Sequence, residues 1–261
     1  MPASLELQRQ YPSDLQVLFV ESQGADSVTA EAFAWRHKWM DTAAMWTVEP
    51  PVQVEGNTLP KFALLDNEGQ LLLSGNPLDM KKQIEEAIAA EIKKAKSPPE
   101  GTPAKLAKPW ATFAKGEVGA ALAACDQLGA ADATLTDAAK TLRAEMVART
   151  EAKVVRGKWL IDNGYIEEGT NFLTALGKAV KGCADFDDKI ATELARVLQP
   201  SKELAAEGQA AKDLASLLKK IREKPFEDGN VKALGKLAEK HGGTKAAERA
   251  THMLELAKIK S

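Results

Sequence analysis

Residues 58–75, TLPKFALLDNEGQLLLSG, set two apolar runs, KFALLD and QLLLSG, on either side of Asn67-Glu68-Gly69, with Leu59-Pro60 directly before the first run. A glycine able to take positive φ between two such runs predicts a hairpin. Proline has no N–H to give to a ladder, so it belongs at a strand start or edge. X-Pro bonds are also the one common source of cis peptides. No cysteine occurs anywhere before Cys125.

Outward from the hairpin, strand and helix signals alternate. LQVLFVE (15–21) is a short run of the buried-strand type. TAEAFAWRHKW (29–39) predicts a helix, with Ser27 and Thr29 as capping candidates. MWTV (45–48) is a weaker strand closed by Pro50-Pro51. Asn76-Pro77 offers a cap and a first helical proline for a helix running to about Lys96. The predicted order is strand, helix, strand, antiparallel hairpin, helix.

SPPEGTPAKLAKP (97–109) reads as a Pro-rich linker or strap. It divides the chain into 1–96, an α/β domain, and 110–261, where Ala, Leu, Lys and Glu take over and predict helix throughout. Helices are expected near 110–128, 136–162, 165–181, 186–198, 202–222, 229–240 and 244–259. The breaks fall at Gly129, Asn163-Gly164, Gly182, Pro200, Lys224-Pro225 and Gly242-Gly243. KGEVGAALAACDQL, NGYIEEGTNFLTAL and DGNVKALGKLAEK each place a small turn, with Gly116, Gly164 or Gly229, before an Ala/Leu helix. Their spacing is unequal, which excludes a fixed-period array. Stacked helical hairpins of a tetratricopeptide-like kind fit, either presenting a concave face to peptides or simply bracing a neighbour.

The 261 residues carry a formal net charge of −2, with 44% hydrophobic and 28% charged side chains. Lysines lie among acidic residues, so the clustered basic excess of a nucleic-acid binder is missing. No apolar run reaches membrane-spanning length, and MPASLELQRQYPSD lacks the regions of a signal peptide. His37, His241 and His252 lie far apart, and no Cys or His spacing suits a metal. G-x-S-x-G, P-loop and G-x-G-x-x-G motifs are absent. No catalytic residue, metal ligand or cofactor site is therefore assigned. Trp35, Trp39 and Trp46 either pack the core or line a groove. Cys125, in ALAACDQL, reads as a small buried residue, and Cys183, after Gly182, as a more exposed one. They either pair as a disulfide or remain two inert thiols.

MPASLELQRQYPSDLQVLFVES, TAEAFAWRHKW, VEGNTLPKFALLDNEGQLLLSGNP and LDMKKQIEEAI, standing in this order, resemble a thioredoxin fold of the TlpA/ResA-like branch of thiol–disulfide oxidoreductases. The third piece is the specific one. The resemblance implies an α/β thioredoxin-like domain, incomplete at its N-terminus, followed by an all-α helical-hairpin domain. It also implies a cis-proline loop at Thr58, Leu59 and Pro60 that presents backbone to a substrate segment. In the family, a strand ending in Trp-Cys-x-x-Cys precedes the helix that Met1-Pro2 looks to continue, and neither the strand nor the cysteines stand in this sequence. Exchange chemistry needs a low-pKa thiolate at a helix N-terminus with a resolving thiol nearby. The expectation is thus a module that binds a protein or peptide partner without redox chemistry. The alternatives are an oxidoreductase whose CxxC lies upstream of Met1, and a scaffold working through its C-terminal helices. Location follows the same fork: cytoplasmic as written, extracytoplasmic if the start lies upstream. No oligomeric state follows.

Overall fold

The structure, a computed structural model, describes residues 2–12, 14–40, 45–54 and 59–259. Among them it forms eleven α-helices and four strands. The chain divides into two units, one of residues 1–95, 216–235 and 251–261, the other of residues 96–215 and 236–250.

In the first unit, α1 (Pro2–Gln10) buries Leu5 and Gln8. The Gln8 side-chain oxygen accepts from the Val17 N–H at 2.8 Å and so directs the chain into β1 (Leu18–Val20). Strand β1 is shorter than LQVLFVE suggests, and Leu18 and Val20 stay 37% and 38% exposed. The buried-strand expectation fails because, among the described residues, β1 has a single partner, β2 (Met45–Thr47), pairing in parallel with Phe19 opposite Trp46. Between them runs α2 (Ser27–Arg36), capped by neither Ser27 nor Thr29. The Asp26 carboxylate takes that place, accepting from the N–H groups of Val28 and Thr29 at 3.0 Å each.

The hairpin forms as expected, from β3 (Phe62–Leu65) and antiparallel β4 (Leu71–Gly75). Its turn is organised by Asp66, whose Oδ1 accepts from Glu68 and Gln70 N–H, while Gly69 takes a φ of 82°. The strands form two separate two-stranded sheets, so the single sheet implied by the resemblance is not assembled among the described residues. Helix α3 begins at Lys81 and not at Asn76. Asn76 Oδ1 instead accepts from Leu78 N–H, closing a side-chain turn that delays the helix. C-terminal segments complete this unit. His252 Nε2 meets Glu31 at 2.7 Å, and the Arg36 guanidinium donates to the Ile259 carbonyl and lies over the Phe226 ring.

The second unit is all helix. A 3-10 turn (Ala104–Leu106) and α4 (Ala107–Ala114) start inside the stretch read as a strap, with Leu106 and Trp110 fully buried. Trp110 donates from its indole N–H to the Lys96 carbonyl at 3.0 Å. The expected helix 110–128 is two helices. Gly116 takes a φ of 91°, ending α4, and α5 (Val118–Ala131) then runs straight through Gly129. After it come α6 (Thr136–Asp162), α7 (Ile166–Ala179), α8 (Asp187–Leu198), α9 (Lys202–Glu223), α10 (Asp228–Lys240) and α11 (Lys245–Lys258), the last three crossing the unit boundary. Gly229 lies in the first turn of α10, unlike the turn residues Gly116 and Gly164. Leu122, Leu142, Met146, Ile161, Leu173 and Phe186 form the centre of one apolar core. The Arg143 guanidinium ties this packing together at the surface, reaching Asp126 at 2.9 Å and Asp185 at 2.6 Å.

Candidate functional site

Of the three loop residues expected to present a binding surface, Leu59 and Pro60 are described and Thr58 lies outside the described residues. The Leu59-Pro60 peptide is cis, and both side chains are exposed, Leu59 by 52%. Lys61 follows and donates to the Val54 carbonyl at 3.4 Å. Beyond it, β4 turns Leu71 and Leu72 outward, 50% and 39% exposed. The hairpin thus leaves leucines exposed on one strand and a proline loop exposed at the start of the other.

The tryptophans divide. Trp35 is buried in α2, and its indole N–H finds no acceptor among the described residues. Trp46 is half-buried on β2. Trp39 is held by the end of α2, where Lys38 N–H bonds Trp35 O, Trp39 N–H bonds Ala34 O and Lys38 takes a φ of 59°. That left-handed residue closes a Schellman turn usually given to glycine. It swings Trp39 against Phe33, with ring centroids 5.4 Å apart, and against Phe19 at 6.1 Å. Trp39 thereby lines an open cleft of about 460 Å³ with Leu5, Glu6, Arg9 and His37. Leu59 and Pro60 do not line this cleft. The groove reading therefore holds for Trp39 and the core reading for Trp35.

Both cysteines are free and buried. Cys183 is the more exposed of the two, as expected, at 8% against 0%, yet the turn in which its N–H bonds Val180 O and its carbonyl accepts from Phe186 N–H still folds it into the core. Burial pushes both thiols above their ordinary value. A thiolate suited to exchange is thus disfavoured at either position. Among the described residues no three His, Cys, Asp or Glu side chains gather as a metal ion requires, and no helix is long and apolar enough to cross a membrane. No protein-family model, curated protein or solved structure matches this chain.

The sequence reading did not find Asp66, which organises the hairpin, or the outward leucines of β4. An Asp directly before Asn-Glu-Gly was the available signal for the first, since its side chain can bond the turn's own N–H groups. Three consecutive leucines, Leu71–Leu73, conceal the second, because unbroken apolar runs do not show which face is covered.

Proposed function

We propose that the first unit is a thioredoxin-family, TlpA-like module that binds an extended segment of a protein or peptide partner. One observation carries this reading: among the described residues both strand pairs keep an edge with no further strand on it, beside exposed apolar side chains, Leu18 and Val20 on β1, Leu59 before β3, Leu71 and Leu72 on β4. Unpaired strand N–H and C=O groups accept a further strand, which supplies affinity through the main chain, while alternate side chains supply selectivity. The cis-proline loop supports the same reading by standing exposed at the head of β3. The two thiols of this chain take no part.

Selection of a displayed library of unstructured peptides on the full chain tests the proposal. Sequences alternating apolar and polar residues are expected, and bound peptide should slow amide exchange along β1 or β3. Leu59→Asp and Leu71→Asp should abolish binding while leaving the helical circular dichroism unchanged. Binding unaffected by either substitution, or an empty selection, would remove the proposal.

A further inference from the structure

Helix α6 is apolar on two opposite faces. One face carries Leu142, Met146 and Ile161 into the core. The other carries Ala144, Ala148, Ala152, Val155 and Trp159, all exposed, Val155 by 66% and Trp159 by 55%. Steps of four, four, three and four residues keep these five on one stripe, about 24 Å long at the helical rise. Surface helices normally present charge there, and an exposed apolar helix face of this extent signals an interface. Trp159 is also held in place. Its ring stacks on Tyr165 at 6.1 Å and 17°, and the Arg249 guanidinium covers the Tyr165 ring at 4.5 Å. Tryptophan, tyrosine and arginine together are the composition of an interface anchor.

We infer that this stripe is a self-association surface, on which two copies of the chain pair their α6 helices antiparallel about a two-fold axis level with residues 153 and 154. The order of side-chain sizes selects this occupant. The large residues, Val155 and Trp159, stand toward the C-terminal end of the stripe, and the small ones, Ala144, Ala148 and Ala152, toward the other. Antiparallel pairing sets Trp159 over Ala148 and Val155 over Ala152 of the second copy, large on small in both directions, as an isologous contact requires. Parallel pairing sets Trp159 on Trp159 and leaves alanine on alanine. One helix pair of this length lies at the low end of specific interface areas, so the dimer forms at high protein concentration and dissociates on dilution.

Sedimentation of the full chain across a concentration series, with cross-linking through introduced cysteines, tests the pairing. Cysteines at Ala152 lie within disulfide reach across the axis, whereas those at Ala144 stand about 28 Å apart along it. Ala152→Cys is therefore expected to oxidise to a covalent dimer and Ala144→Cys to remain monomeric, with the parent chain, whose own cysteines are buried, as background. Trp159→Glu should lose the concentration-dependent dimer, and its unchanged circular dichroism would exclude unfolding as the cause. A parent chain monomeric throughout, Ala144→Cys cross-linking as readily as Ala152→Cys, or a dimer surviving Trp159→Glu would each overturn the inference.

Discussion

Glycine does two different jobs in this chain, and residue identity alone does not say which. Gly116 breaks a helix by taking positive φ, whereas Gly129 continues one and lets the Ala139 methyl approach to 3.1 Å of where its own Cβ would stand. Gly157 and Gly169 belong to the second kind, at the crossing of α6 and α7. A Cβ on Gly169 would stand 3.0 Å from both the Gly157 carbonyl oxygen and the Ile161 nitrogen, and 2.7 Å from the Ile161 side chain. Backbone cannot step aside as a flexible side chain can. Gly169→Ala is accordingly expected to cost about 1–3 kcal/mol by urea unfolding. Gly208→Ala, in the middle of α9 with open space around it, should instead gain about 0.5–1 kcal/mol. The same reasoning explains why the helix break was sought at Gly129. Gly116 and Gly129 stand in one Ala-rich run and look alike in sequence, and only the packing around each distinguishes them.

Among elements, boundaries were harder to read than existence. The strand–helix–strand–hairpin–helix order was legible from periodicity, as were all helices from α6 onward. Ends depended on which polar side chain reached the free N–H groups, and DSVT offers three candidates for α2 where only Asp26 serves. At α11 a local cap, Thr244 Oγ1 accepting from Ala247 N–H at 3.1 Å, is joined by a group distant in sequence. The Glu207 carboxylate, on α9, accepts from Lys245 N–H at 2.7 Å and Ala246 N–H at 3.1 Å, so one helix caps another. No local motif announces such a cap. Glu207→Ala should cost about 1 kcal/mol and speed amide exchange in the first turn of α11, while Glu207→Gln, which keeps one acceptor, should restore part of it. The candidate loop follows the same pattern. Leu59-Pro60 stood out by its residues, but its exposure depends on strands that remain in separate pairs, a fact of tertiary assembly.

For the whole molecule, acid is the informative stress. Lys240, and after it His241, hold the Asp213 carboxyl at about 2, below the ordinary carboxylate range. A carboxyl lowered by folding stabilises fully above its unfolded value of about 4 and loses that contribution as pH falls toward 2. Asp213→Asn should flatten the dependence of the urea midpoint on pH across that window. Asp185, lowered by the Arg143 guanidinium, retains its share of the dependence in that variant. The helical unit was well anticipated in content because strong helix formers dominate its sequence from end to end. The first unit was not, since part of its packing is supplied by segments more than a hundred residues away.

That last arrangement bears on how the chain is made. Glu31 finds His252, 221 residues on, and Arg36 finds the Ile259 carbonyl, 223 residues on, only after the helices between them have been made. The helical hairpins α5 to α7 can close as they emerge, being local. The strand-bearing segment, made before those hairpins, therefore completes its contacts after them. Until then its apolar strands face the surroundings, where a chaperone or a neighbouring nascent chain competes with the protein's own C-terminus.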